Sequence, residues 1–415
     1  MRASGWRAAG LLRALWHRSP TRMRSAALLL AGRALAPKAA AGHELRPGGV
    51  TVAGLLSAAT GLGEGARLCH AALLRLGIPA GACDLSRHFG HADLAVEPPA
   101  RPIMDEGGTL IVHLNPQHFP LGLAIMGRRR VRHRHIIGYW AWELDVLPRS
   151  WRRGFRYVHE VWVPSEFVAG AVRRETDLAV RVVPHPVALP PFSGLGRAGF
   201  GLPEAAFVAL AVLDMGSGYE RKNPLDTVRA FRQAFGNDPG AFLVLKVTGA
   251  ERAPWAMREI EAERAGAPNI RLLLGALSRE DQGALLRAAD VILSLHRSEG
   301  FGLVLAEAMR LGLPAVATGW SGNMQFMSES NSALVGHRLV PVRDRQRIYR
   351  EGGALWAEPD VAHAAAWLQR LRAGPELRRR IGEAARAGAE QSFGDAAYRA
   401  AIGDALAPDQ TAPGA

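Results

Sequence analysis

From about Gly48 onward, short runs rich in Val, Ile and Leu alternate with longer stretches in which Ala, Leu and Arg recur at helical spacing. A strand covered on both faces shows a near-continuous apolar run, and helical stretches between such runs supply the covering layers. The pattern predicts strands over 50–56, 78–84, 109–114, 135–140, 160–164 and 180–183, with a helix over 63–76. Pro184, Pro186, Pro190 and Pro191, followed by Gly194, Gly196 and Gly199, then interrupt it. A second series follows, with strands over 207–213, 242–247, 270–274, 291–295 and 315–318 and helices over 224–234, 254–264, 279–288 and 303–311. The class is α/β: two Rossmann-like, doubly wound domains facing a central cleft, where open parallel sheets place their ligands. The predicted division is a basic leader over 1–46, a first domain over 47–188, a linker over 189–201, a second domain over 202–378, and C-terminal helices over 379–406 packing back on the first domain.

Length and composition agree with this division. A chain of 415 residues suits two cores, and 48% hydrophobic with 21% charged residues is globular composition. Cysteine occurs only at Cys69 and Cys83, so no disulfide framework is expected and the chain reads as cytoplasmic. Apolar runs such as 26–31 fall far short of the roughly 20 residues that cross a bilayer. The net charge of +13 is concentrated at the start, where residues 1–46 carry eight Arg and one Lys against Glu44. With Trp6, Leu11, Leu12, Leu15 and Trp16 among those arginines, the leader fits either peripheral contact with the inner membrane face or an unstructured extension.

The most informative segment runs from Val291 to Pro314. An apolar run ends at Leu295, a loop containing Glu299, Gly300, Phe301 and Gly302 follows, and a helix opens at Leu303 and Val304 and stops at Gly312. The first turn of that helix offers unpaired N–H groups and the positive end of its dipole, which suits a diphosphate, and Gly300 and Gly302 let a ligand approach the backbone. Glu307 lies eight residues beyond Glu299, so the two carboxylates can hold opposite ends of an elongated ligand such as a sugar nucleotide. Glu307 would take the ribose diol and Glu299 the hexose hydroxyls. The spacing alone also fits an acidic helix entrance and a buried, salt-bridged Glu.

Taken with its surroundings, the stretch Ser298-Glu-Gly-Phe-Gly-Leu-Val-Leu-Ala-Glu-Ala-Met309, followed by Gly312-Leu-Pro-Ala-Val-Ala-Thr318, resembles the E-x7-E signature of the retaining GT-B glycosyltransferases of family 4. Further likeness lies in Gly61-Leu-Gly63-Glu-Gly-Ala-Arg67, Tyr139-Trp-Ala-Trp-Glu-Leu144, Val161-Trp-Val-Pro-Ser165, Glu220-Arg-Lys-Asn-Pro224 and Trp356-Ala-Glu-Pro-Asp360. The resemblance implies transfer of a hexose, with retention, from a UDP- or GDP-linked donor in the second domain to a carbohydrate or lipid-linked glycan acceptor in the first. It implies that Lys222, with Arg221, faces the diphosphate, and that the loop from Gly61 through Gly63 to Gly65 walls the donor. Two departures stand out. Asp214-Met215 occupies the place of a Gly-Arg pair found in many relatives, and Tyr-Trp-Ala-Trp-Glu fills the region where many place a histidine, leaving His113, His118, His135 and His159 as substitutes.

Trp140 and Trp142 alternate at a predicted strand end and fit either an acceptor platform or core packing. No Asp-x-Asp pair occurs, so no metal cofactor is expected, the helix dipole and Lys222 taking the place of an ion; scattered ligands are the alternative. Gly61-x-Gly63-x-x-Ala66 with Asp84 also meets a loose dinucleotide fingerprint, which keeps an NAD-dependent oxidoreductase in view. A GT-B sugar-nucleotide epimerase and a basic nucleic-acid binder are the other rivals, although no nucleic-acid partner is expected.

Overall fold

A computed structural model describes residues 30, 32, 34–39, 46–91, 107–349 and 351–406. The leader reading falls almost entirely outside these residues. The first sheet comprises β1 (Val50–Gly54), β2 (Ala80–Asp84), β3 (Thr109–His113), β4 (His135–Tyr139), β5 (Glu160–Val163) and β6 (Ala179–Val182), all parallel, in the order β2-β1-β3-β4-β5-β6. The second comprises β7 (Phe207–Asp214), β8 (Ala241–Thr248), β9 (Ile270–Leu274), β10 (Val291–Ser294), β11 (Ala315–Thr318) and β12 (Ala333–Val335), in the order β12-β11-β10-β7-β8-β9. Each order reverses direction beside its first strand, so the chain leaves β1 and β3, or β7 and β10, toward opposite sides. The crevice opened there lies beyond the carboxyl ends of the strands. Two parallel-sheet Rossmann-like domains are thus present. An antiparallel hairpin, β13 (His337–Pro341) and β14 (Leu355–Pro359), was not predicted, and the exposure of His337, Arg338 and Leu339 shows why no clean alternation marks it.

Among the described residues, helices that serve the first sheet include α1 (Gly61–Arg75), α2 (Phe119–Met126), α3 (Arg128–Val131) and α4 (Glu166–Arg173). One side of the sheet packs Leu110, Val112, Ile136, Trp140 and Trp151 against α2 and α4, and the other packs Val52, Ile111 and Ile137 against Ala72 and Leu73 of α1. Burying side chains of this size contributes about 1.5–3 kcal/mol each. One pair of alternatives is decided for core packing, and one expectation is corrected. Strand β4 ends at Tyr139, and Trp140 and Trp142 both lie inside the core, where Trp142 meets Trp151 at 4.9 Å between ring centres. The stretch from Gly61 to Gly65 is the opening of α1 rather than a loop. Thr60 accepts a hydrogen bond from Gly63 N at 3.2 Å and starts the helix two residues before the predicted position.

The second domain adds α5 (Tyr219–Lys222), α6 (Pro224–Phe235), α7 (Pro254–Glu263), α8 (Arg279–Ala288), α9 (Leu303–Arg310), α10 (Val361–Ala373), α11 (Pro375–Phe393) and α12 (Asp395–Ile402). The boundary drawn at 378/379 falls inside α11, which stays with the second domain: Ala385, Ala389 and Phe393 share a core with Met309 and Leu305 of α9. Gly394 then turns the chain, and α12 reaches the first domain. There Asp395 pairs with Arg75 at 2.8 Å and the Tyr398 hydroxyl donates to Cys69 Sγ at 3.2 Å. Burial pushes the Cys69 thiol up to about 12, which leaves it a packing group.

Candidate functional site

The loop from Leu295 to Gly302 leaves β10 at the switch point and meets the turn from Met215 to Asn223, which leaves β7. Arg297 joins the two segments. Its N–H donates to Arg221 O at 2.7 Å, its Nη1 to Glu220 O at 2.6 Å, and its guanidinium forks onto Glu358 at 2.8 and 2.9 Å. Asn223 adopts the left-handed conformation at φ 52° and donates from Nδ2 to Leu295 O at 3.0 Å, so the four-residue α5 breaks and α6 restarts at Pro224. The same loop leans on the segment after β11: Glu299 N donates to Ser321 Oγ at 2.8 Å, and Gly322 N to Glu299 O at 2.8 Å. Gly302, at φ 95°, precedes α9 without a side-chain cap, which keeps the helix entrance open to an anion.

Lys222 and Arg221 both converge on Glu299. Lys222 Nζ lies 2.6 Å and Arg221 Nη1 3.0 Å from Glu299 Oε1. Arg221 is buried and also donates to Ser217 O at 2.7 Å and Ser298 O at 2.8 Å. Burial alone would raise the Glu299 carboxyl, but the two cations hold it well below the usual range, so it is ionised. The cations assigned to the diphosphate thus rest on the carboxylate assigned to the hexose. The Lys222 side chain is 20% exposed, whereas Arg221 is buried and held by two backbone carbonyls.

Glu307, one turn inside α9, is buried and takes a hydrogen bond from Arg279 Nη1 at 2.6 Å. Arg279 opens α8 and also reaches Glu64 of the first domain at 3.0 Å, and Glu64 in turn pairs with Arg67 at 2.6 Å. One guanidinium thus bridges the two domains across the cleft. Burial pushes the Glu307 carboxyl up, Arg279 opposes this, and Glu64 adds to it. Sequence reasoning missed Arg279, because nothing in Ser278-Arg-Glu-Asp281 marks one helix-opening arginine from another.

The first domain closes on the same loop. Ser165 Oγ donates to Gly300 O at 2.7 Å, Ser298 Oγ donates to Glu143 O, and Glu143 Oε2 accepts from Tyr349 OH at 3.2 Å. A Cβ on Gly300 would lie 2.7 Å from Trp142 O, which is why this position is glycine. A Cβ on Gly63 would meet Leu55 O and Ala58 O at 2.5 Å, so that glycine is required by its own turn; one on Gly61 would reach only Leu303 Cδ1, at 4.0 Å. Phe301 points into the core against Phe326, Phe393 and His185. Val304 and Leu303 are partly buried at the entrance of α9.

The histidines named from the sequence are not gathered here. His135 and His159 stack on each other at the amino ends of β4 and β5, and His118 packs on Phe89. His113 is fully buried, stacked on Tyr139, with neither ring nitrogen bonded among the described residues. Besides His296 within the loop, bonded to Ser294 and Asn323, the first domain brings His185 against Phe301; no sequence signal singled it out, and burial pushes it down to about 3, so it is neutral. Among the described residues no group of three or more His, Cys, Asp or Glu side chains is set to hold a metal ion.

Residues 186–393, half of the chain, match the model of a family described as Family 4 Glycosyltransferase in conflict systems. The chain belongs to this family. Relatives include a D-inositol 3-phosphate glycosyltransferase of Streptomyces griseus, 31% identical over 205 residues, which are 48% of this chain and 38% of that protein. Another of that description, from Xylanimonas cellulosilytica, is 34% identical over 109 residues, 25% of this chain and 26% of its own. The matched stretches span well under half the length of these relatives. Among solved structures, HepE of Anabaena in complex with UDP and glucose aligns with a TM-score of 0.61 at 15% identity, covering 86% of this chain and 98% of that one. Sucrose-phosphate synthase of Thermosynechococcus elongatus aligns with a TM-score of 0.62 at 16% identity, covering 87% and 98%. At such identities the likeness speaks for the fold, which is GT-B.

Proposed function

We propose that the chain is a hexosyltransferase that moves a sugar from a UDP- or GDP-linked donor to a carbohydrate or lipid-linked glycan acceptor, with retention of configuration. The observation that carries this reading is the meeting of Lys222, Arg221 and Glu299 beside the uncapped entrance of α9, at the switch point of the second sheet. A donor diphosphate entering there draws Lys222 from Glu299, and the freed carboxylate turns to the hexose hydroxyls. Glu307 exchanges Arg279 for the ribose diol. The bond from the anomeric carbon to the phosphate oxygen then breaks while the acceptor oxygen bonds the same carbon from the same face, and the acceptor proton passes to the departing phosphate oxygen. Lys222 and the first-turn amides of α9 stabilise the charge that develops on that phosphate, which lowers the barrier because they act most strongly in the transition state. UDP and glucose held by HepE, and the sugar transfer in the name of the 31% identical relative, support this donor class.

Because Lys222, Arg221 and the helix amides supply the charge that a metal would otherwise supply, transfer is expected to persist in excess EDTA. The test is incubation with UDP- and GDP-hexoses and glycan acceptors, with and without EDTA, followed by product and anomer analysis. Conversion of the sugar nucleotide to its epimer, or activity that returns only with Mg²⁺ or Mn²⁺, contradicts the reading.

A further inference from the structure

At the amino ends of the strands of the first sheet, opposite the cleft, residues 34–39 and 128–136 enclose a cavity of about 530 Å³. Its described ionisable lining groups are Lys38, Arg128, Arg132, His133, Arg134 and His159, with no carboxylate among them. The sequence accounts for this bias. Residues 128–134 hold five arginines, and no Asp or Glu occurs from 107 to 142 or from 146 to 159. Glu160, next to His159, is committed elsewhere, to Arg181 and Trp162 Nε1 at 2.9 Å and to His135 at 3.5 Å. Buried Arg134 donates to Thr51 Oγ1 at 2.8 Å and is fixed in the wall, whereas Arg128 and Arg132 line the cavity and are exposed, as are their chain neighbours Arg129 and Arg130. Leu35 lines the cavity yet is 70% exposed, and nearby in the chain Leu30 is 62% exposed.

We propose that this cavity docks the protein on an anionic bilayer, taking a lipid headgroup phosphate among Lys38, Arg128 and Arg132 while Leu35 enters the acyl boundary. The proposal rests on the membrane-face reading of the basic leader and extends it to a folded surface; it is independent of the acceptor, because this surface lies opposite the cleft. A phosphate is the anion that such a set of guanidinium and ammonium donors suits, and a basic surface bearing exposed leucine is what an interfacial site combines. A polynucleotide fits less well, because Tyr157, the aromatic ring beside Arg156 at the Ala39–Arg156 contact, is buried and not free to stack on bases.

The full chain is co-sedimented with vesicles of phosphatidylcholine alone and of phosphatidylcholine mixed equally with phosphatidylglycerol, without donor or acceptor, so that failure of the transferase reading leaves the outcome intact. Binding is expected only to the anionic vesicles. Each basic residue near the surface is worth a factor of about five, so Arg128→Gln with Arg132→Gln should weaken it about 25-fold. Lys38→Gln with Leu35→Ser, on the other wall, should weaken it as well, and Arg258→Gln with Arg338→Gln, an equal charge loss on exposed second-domain positions, should not. Full vesicle binding by either cavity pair, or equal weakening by the control pair, overturns the proposal. So does loss of homopolymeric RNA binding by the cavity pairs with vesicle binding unmoved, or protection of the cavity by free glycerol 1-phosphate without vesicle binding.

Discussion

At the residue scale, the site stores its charges in internal pairs that a donor must exchange. Lys222 is the cation free to move, since Arg221 is held by Ser217 and Ser298 carbonyls. Lys222→Ala should therefore lower single-turnover kcat at saturating donor by on the order of 100-fold or more, with a much smaller change in donor affinity. Lys222→Arg should recover only part, because a planar guanidinium does not take an ammonium's place without moving the phosphate. Near-normal turnover in Lys222→Ala would reduce it to a structural partner of Glu299. Glu307 makes the opposite trade. Its folded-state carboxyl value is raised above the unfolded one, so the stability it contributes is fully present below about pH 4.3 and is lost as pH rises through the folded value. Glu307→Gln should accordingly leave the melting temperature of the free protein unchanged or higher at neutral pH, and the advantage should shrink toward pH 4. A clear drop in melting temperature at neutral pH would mark Glu307 as a structural ion-pair member instead.

At the scale of elements, the loops after β7 and β10 meet because the second sheet reverses its order between those two strands, and this much was legible. The apolar runs and their helical partners carried the alternation, and the E-x7-E stretch marked the loop that opens at the carboxyl end of β10. What could not be read is how tightly the loop is wedged. Gly322, outside the motif, packs so closely on Gly300 O that a Cβ would overlap it. Gly322→Ala should destabilise the protein by about 1–3 kcal/mol, the usual cost of overpacking, and should depress turnover by displacing Glu299. Denaturant unfolding and a turnover assay check both; wild-type values would show that the loop has room to shift. The Trp140–Trp142 alternation shows the limit of period-two reasoning. It fits a strand face and a buried turn equally, and only the end of β4 at Tyr139, followed by packing against Trp151 and Tyr349, decides between them. Contacts of this kind join residues far apart in the chain and leave no local period.

At the scale of the whole molecule, several contacts among the described residues tie the two domains, and three of them bear on the site or on the return of the chain. Arg279 bridges Glu307 and Glu64, Ser165 and Glu143 hold the 298–302 loop, and α12 returns to α1. Two of these ties involve the groups assigned to the donor, so nucleotide binding and domain contact share the same side chains. Arg279→Gln should loosen the free protein's domain contact and also remove Glu307's competing partner, leaving nucleotide affinity equal or higher; titration by calorimetry would expose a loss, which would mean that Arg279 itself holds the donor. A nucleoside diphosphate is proposed to sit between the entrance of α9 and Glu307. Calorimetric titration of UDP and GDP into folded wild-type protein and Glu307→Gln tests it most directly. The account predicts binding of at least one of the two, weakened in the variant by about 1–3 kcal/mol, the scale of a hydrogen bond to a charged group; equal affinity in both proteins, or no binding of either nucleotide to the wild type, would contradict it.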